Sequence, residues 1–252
     1  MHAVRPGIQA GNALDRGVGY TPYGDHADRI CGMEVVLPDG ELVRTGMGAM
    51  ADSPNWNLHP YGFGPNWDQM FVQSNFGVVT KMGIWLMPEP ECYLDGNIEC
   101  FGHDDIIPLV DHMSYLMNTG VQNAGTNLQS PLRFAVSQDP ELRVLLTRDD
   151  RSSIERLEAF SRQRTVPFWS NTFKFYGPEE VIRAQWEYTK RRLSSIPNAR
   201  FVDGAFYRMP LTEQDKRFLG PLRGKGHRPS DTVFGITAAG FRKMLARLDL
   251  PA

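Results

Sequence analysis

The residues best suited to chemistry stand near the start of the chain, in the run Gly11-Asn12-Ala13-Leu14-Asp15-Arg16-Gly17-Val18-Gly19-Tyr20-Thr21-Pro22-Tyr23-Gly24-Asp25-His26. Glycine lets backbone approach a ligand closely and take positive φ. The backbone N–H groups of such a loop can bind the oxygens of a diphosphate. Asp25 can serve beside it as general base or hydrogen-bond acceptor. The run predicts neither a regular helix nor a central strand. The same residues fit a structural Ω-loop in which Asp25 only forms a turn, and composition leaves both readings open. Tyr20, Tyr23 and Tyr61 either line an aromatic pocket or pack as ordinary apolar surface.

Other chemistries find little support. The glycine spacing matches neither the G-x-G-x-x-G dinucleotide fingerprint nor a P-loop. No Gly-x-Ser-x-Gly elbow is present, so a serine nucleophile cannot be assembled. His26 and His59 have no partner at metal-ligand spacing, and no metal site is expected. Asp104, Asp105, Asp111 and His112 fall on the start and solvent face of a predicted helix. Cys31, Cys92 and Cys100 are odd in number and follow no metal or disulfide pattern. With a net charge of −2 and a pI near 6.3, neither nucleic acid nor an anionic membrane is an expected partner. The N-terminus carries no signal-peptide core, and no apolar run reaches bilayer-spanning length. The expected location is the cytoplasm, or the periplasm if a signal precedes Met1.

The 252 residues, 41% hydrophobic, allow one large domain or two smaller ones. Met33–Leu37 and Glu41–Thr45 flank Pro38-Asp39-Gly40, which predicts a β-hairpin. Residues 46–66 read as a long Gly/Pro/Asn-rich loop of the kind that is usually functional or contacts another segment. Trp67–Asn75 predicts a short helix and Phe76–Met87 a strand, broken at Pro88-Glu89-Pro90. A domain boundary is placed there, giving domains 1–91 and 92–252. In the second, strands are predicted at Ile98–Phe101, Leu142–Leu146 and Trp169–Tyr176. Helices are predicted over Asp104–Met117, over Ser152–Arg164 with Ser152 or Ser153 as cap, and from Pro178 to Leu193. This is an α+β layout with an antiparallel sheet. Pro210–Ser230 reads as a loop with a solvated basic face, and Ala238–Leu248 as a final basic helix.

The Gly11–His26 run resembles the FAD-binding signature of the vanillyl-alcohol oxidase family, which includes 4-cresol methylhydroxylase and eugenol hydroxylase or oxidase. Gly32–Gly40, Arg44–Ala49, Pro60–Pro65 and Gly77–Pro88 continue the resemblance in order. It is close over 11–90 and looser from about 91 to 210, where Phe175-Tyr176-Gly177-Pro178 is the best anchor. The resemblance implies the second half of a PCMH-type FAD-binding domain followed by part of an antiparallel-sheet cap domain, with 231–252 unassigned. It implies FAD as cofactor and a small phenolic substrate, a 4-alkylphenol or 4-hydroxybenzylic alcohol. The reaction implied is hydride transfer from the benzylic carbon to flavin N5, through a quinone methide. Asp25 is then the catalytic residue, in a site closed to bulk solvent. Gly11, Asn12, Gly17, Gly19, Tyr20 and Gly24 follow the flavin, and Val78 and Val79 face its adenine end. The resemblance also implies a homo-oligomer, a cytochrome c as one candidate partner, and a fragment rather than a whole enzyme. The family's other diphosphate loop and its phenolate-binding tyrosines and arginine have no counterpart in this sequence. A non-catalytic remnant or an interaction module is the alternative.

Overall fold

The computed structural model describes residues 6–62, 64–137, 139–148, 150–213 and 215. Two compact units divide the chain at Pro88/Glu89, Met1–Pro88 and Glu89–Ala252.

The first unit is built on the hairpin. Helix α1 spans Pro6–Leu14, β1 Ile30–Val36, β2 Leu42–Arg44 and β3 Val78–Ile84. Gly40 takes φ +89° in the turn between β1 and β2, a conformation that favours glycine. Val35 and Val36 then stand opposite Val43 and Leu42. β3 pairs antiparallel with the other edge of β1, so the sheet order is β2-β1-β3. Glu34 reaches both neighbours of its strand, Arg44 at 2.8 Å and Lys81 at 3.1 Å. Hydrogen bonds from Arg44 and then Lys81 hold its carboxyl below the usual carboxylate range. Ala13, Ala27, Ile30, Met33, Val35 and Val72 form the buried core.

One expectation fails here. Gly11 to Leu14 are not loop but the last residues of α1. Pro6 suits the first turn of a helix, and Ala13, fully buried, docks that helix on the core. Glycine and asparagine inside a helix cost only about 1 kcal/mol or less each, which burial can outweigh. The short helix expected at Trp67–Asn75 is a single 3-10 turn, Asp68–Phe71.

The second unit has β4 Cys92–Cys100, α2 Ile106–Asn118, β5 Asn127–Gln129, α3 Pro131–Ser137, α4 Pro140–Arg143, α5 Arg151–Arg164, β6 Trp169–Gly177, α6 Glu179–Leu193 and β7 Arg200–Arg208. The strands form one antiparallel sheet in the order β5-β6-β4-β7. Side chains alternate across it. Cys92, Leu94, Ile98 and Cys100 of β4, with Phe173 and Phe175 of β6, bury against Leu109, Met113 and Leu116 of α2 and Ile182, Trp186 and Leu193 of α6. Leu132, Val136, Leu145, Leu157, Val166 and Phe168 make a smaller core beside α3 and α5. The α+β class with antiparallel sheets is the observed one.

Three local expectations are corrected. Leu142–Leu146, expected as a strand, is the end of α4 and a 3-10 turn at Val144–Thr147. Asp139 caps it by accepting the N–H groups of Glu141 and Leu142, and Pro140 fits the first turn. Helix α5 is capped by Asp150, which accepts the Ser153 N–H at 2.8 Å, and not by Ser152 or Ser153. β4 begins at Cys92, six residues before the expected strand. The expected loop beyond Asp215 and the helix at Ala238–Leu248 lie outside the described residues. Among those described, no helix is long and apolar enough to cross a membrane.

Candidate functional site

Where α1 ends, the chain turns at Arg16, which takes φ +52°. Gly17 N–H donates to the Asn12 carbonyl at 2.7 Å, pinning the loop to the helix end. Val18 and Asp25 then form an isolated antiparallel bridge, and Gly19 N–H donates to the Gly24 carbonyl at 2.7 Å. The intervening Tyr20-Thr21-Pro22-Tyr23 is folded back tightly. A Cβ on Gly24 would stand 2.8 Å from the Gly19 carbonyl oxygen and 3.1 Å from that of Thr21, so only glycine fits.

Asp25 leaves this loop into a 3-10 turn, Ala27–Arg29. Its Oδ1 accepts the N–H of Ala27 at 3.0 Å and of Asp28 at 3.3 Å. The carboxylate therefore orders the start of that turn. Ala27 is buried, its carbonyl accepts Gln69 Nε2–H at 3.1 Å, and the Arg29 guanidinium lies 4.3 Å from the centre of the Tyr23 ring. Asp25 itself is exposed, and Val18 beside it is 74% exposed. The solvent-closed setting that the resemblance implies is not supplied by the described residues of this unit.

The loop is thus an internally hydrogen-bonded wall with Val18 and Asp25 exposed. Asn12, Gly17, Gly19, Gly24 and Asp25 are brought together, with Tyr20 half-buried between them. Gly11 sits on the last turn of α1 with nothing within 4 Å of an added Cβ. Val78 and Val79 lie elsewhere, at the start of β3. The far end of that strand, Ile84, pairs with Ile30 just after the 3-10 turn. Six residues of strand put Val78 roughly 20 Å from that end. β3 is an edge strand of the described sheet, and Val78 is 68% exposed.

Behind the wall sits a buried polar node that the sequence did not announce. Asp68, 1% exposed, accepts Gly32 N–H at 3.0 Å through Oδ2 and the Thr45 hydroxyl through Oδ1. Thr45 Oγ1 in turn accepts Met33 N–H at 2.7 Å. Trp56, from the long loop, lies on Gly32 and Gly48, where a Cβ would meet its ring. That loop is therefore scaffolding at this point. Burial first, then Asp68, pushes the Cys31 thiol above its ordinary range.

The second unit holds a further cluster, on the sheet face away from α2 and α6. Asp95 on β4 stands directly opposite Lys174 on β6, and they are 6% and 1% exposed. Asp95 Oδ2 accepts the Tyr93 hydroxyl at 2.9 Å and Oδ1 the Ala205 N–H at 2.5 Å. The carboxylate reaches Ala205 because β7 bulges there and Gly204 has no side chain to block it. Tyr176 and Tyr207 flank Tyr93, with ring centres at 5.0 and 6.4 Å. Burial pushes the Lys174 amine down to about 8 and the Asp95 carboxyl up. No local motif marks this cluster, because it forms only when β4, β6 and β7 pair.

No family model matches the chain. It is 33% identical over 192 residues to the 4-cresol dehydrogenase [hydroxylating] flavoprotein subunit of Pseudomonas putida, a match that covers 76% of this chain and 37% of that protein. Its fold is similar to that of p-cresol methylhydroxylase with substrate bound, with a TM-score of 0.66 and 31% identity over 82% of this chain and 41% of that one. The 4-ethylphenol oxidase of Gulosibacter chungangensis, in complex with isoeugenol, gives a TM-score of 0.64 and 31% identity over 90% of this chain and 44% of that one. The chain thus spans less than half the length of these relatives. On sequence and fold together, the chain is similar to the 4-cresol dehydrogenase flavoprotein subunit, p-cresol methylhydroxylase and 4-ethylphenol oxidase over part of their length.

Proposed function

We propose that the chain is part of an FAD-dependent oxidoreductase acting on 4-alkylphenols or 4-hydroxybenzylic alcohols. Residues 1–91 are then the C-terminal part of an FAD-binding domain and 92–252 part of a cap domain. The observation that carries the reading is the exposed Asp25 carboxylate, held on a loop that is braced from behind by Gly17, Gly24 and Ala27. The residues fit a flavin in two respects. The loop presents apolar Val18 and backbone to the outside, and the outer edge of β3 has no strand partner in the described sheet.

Asn12, Gly17, Gly19, Tyr20 and Gly24 would lie along the cofactor, with Gly11 at the helix end and Val78 and Val79 toward the adenine. When bound, FAD would supply the electron-pair acceptor for oxidation at the benzylic carbon. The chain's own contribution is proton handling and position. Asp25 Oδ1 is occupied by two backbone donors, which leaves Oδ2 to exchange a proton or to orient the water that attacks a quinone methide. A homo-oligomer and a cytochrome c electron acceptor belong to the same reading.

A second reading, an interaction module completed by another chain or a non-catalytic remnant, is favoured by the exposed Val18 and Val78. Anaerobic mixing of the purified, FAD-supplied chain with a 4-alkylphenol separates the two. Bleaching of the visible flavin band supports the enzyme. A colourless protein that stays inactive with added FAD selects the second reading.

A further inference from the structure

We propose that His26 is a positioning residue of the Gly17–Asp25 loop, fixing from beneath the backbone that presents Asp25. Its functional consequence rests on the flavin reading above, whereas its physical content rests on the loop alone.

Three contacts converge on this one residue, and a fourth ties two of its partners together. The His26 N–H donates to the Gly17 carbonyl at 3.4 Å. The ring Nδ1 bonds Asn12 Oδ1, so that nitrogen carries the proton facing a carbonyl oxygen. The same Asn12 receives the Gly17 N–H on its backbone carbonyl. Finally, Gly19 lies close against the imidazole, where a Cβ would stand 2.5 Å from Nε2. His26 therefore joins the end of α1 to the Gly17–Gly19 arm of the loop, one residue after Asp25. The bonds from Ala27 and Asp28 to Asp25 use backbone N–H groups and do not pass through the ring. Loss of the imidazole should loosen the loop while the 3-10 turn stays capped.

The test is amide hydrogen exchange on the full chain, with FAD affinity from flavin fluorescence as the second readout. His26→Ala is expected to speed exchange at Gly17 and Gly19 by on the order of ten-fold, the worth of one lost hydrogen bond, and to leave Ala27 unchanged. His26→Asn keeps a nitrogen near the Nδ1 position and should restore slow exchange, whereas His26→Gln, one methylene longer, should not. FAD binding should weaken in parallel, with Asn again the rescuing variant. Unchanged exchange at Gly17 and Gly19 in His26→Ala overturns the clamp. Faster exchange with unaltered FAD affinity overturns the positioning role. A wild-type chain that binds no FAD while its loop amides behave as expected overturns the flavin reading, and with it the role in presenting Asp25.

Discussion

Asp25 has an observed structural contact and a proposed chemical role, and two substitutions tell them apart. Its Oδ1 accepts two backbone N–H groups, from Ala27 at 3.0 Å and Asp28 at 3.3 Å, and so caps the 3-10 turn. Its negative charge is the property that the proposed chemistry uses. Asp25→Asn keeps an Oδ1 acceptor in the same place and removes only the charge. Asp25→Ala removes both. Loss of such a cap costs about 1 kcal/mol, equivalent to roughly 2–4 °C in the melting temperature of a chain this size. Asp25→Ala should therefore melt lower by about that amount, while Asp25→Asn melts within about 1 °C of wild type, because asparagine and aspartate cap about equally well. Turnover of a 4-alkylphenol should fall on the order of 100-fold or more in both, the worth of a positioned general acid or base. Thermal melts by circular dichroism and anaerobic flavin bleaching give the two numbers. Undiminished turnover in Asp25→Asn removes Asp25 from the mechanism. A melt as low for Asn as for Ala refutes the capping geometry.

The buried Lys174 amine gives a pH prediction with a definite sign. Its folded value lies at about 8, below the unfolded 10.5, because burial disfavours the charged form. Between those values the unfolded chain binds the extra proton, so stability rises with pH from about 8 to 10.5. Below that window both states are protonated and the penalty stands in full. Urea melts across it should show the rise in wild type and a flat difference in Lys174→Met, and equal slopes would contradict the burial argument. In the helix-packed core, a Cβ on Gly96 would meet the Trp186 ring 2.5 Å from Cε2, and the ring is anchored by Nε1–H donating to Asp203 Oδ1 at 2.7 Å. Gly96→Ala should then cost about 1–3 kcal/mol through overpacking, read as a lower urea midpoint, and an unmoved midpoint would show that Trp186 swings away freely.

Much of the fold was legible where local chemistry and tertiary context agree. The Asp39-Gly40 turn between two apolar runs specified the β1–β2 hairpin, and Pro178-Glu179-Glu180 marked the start of α6. Elements were misread where a distant contact decides. Gly96 breaks the apolar alternation of β4 and hides its first half, yet Trp186 of α6 needs that glycine. β7 escaped notice because Asp203-Gly204 looks like a turn, whereas the bulge there accommodates the carboxylate of Asp95. Leu142–Leu146 reads as a strand until Asp139 and Pro140 are recognised as a helix start. The loop around Asp25 was legible as a candidate site from its wording, but its dependence on Asn12 and His26 was not, since side-chain bonds across fourteen residues leave no periodic trace.

The central claim is that the Gly17–Asp25 loop and the start of β3 form one wall of a flavin site. The most direct measurement is amide hydrogen exchange of the wild-type chain with and without saturating FAD. The account predicts slowed exchange confined to residues 15–26 and 78–82, at two places on the first unit that only an extended ligand would join. Slowing at other residues alone, or none at all in a chain whose circular dichroism shows it folded, would contradict it.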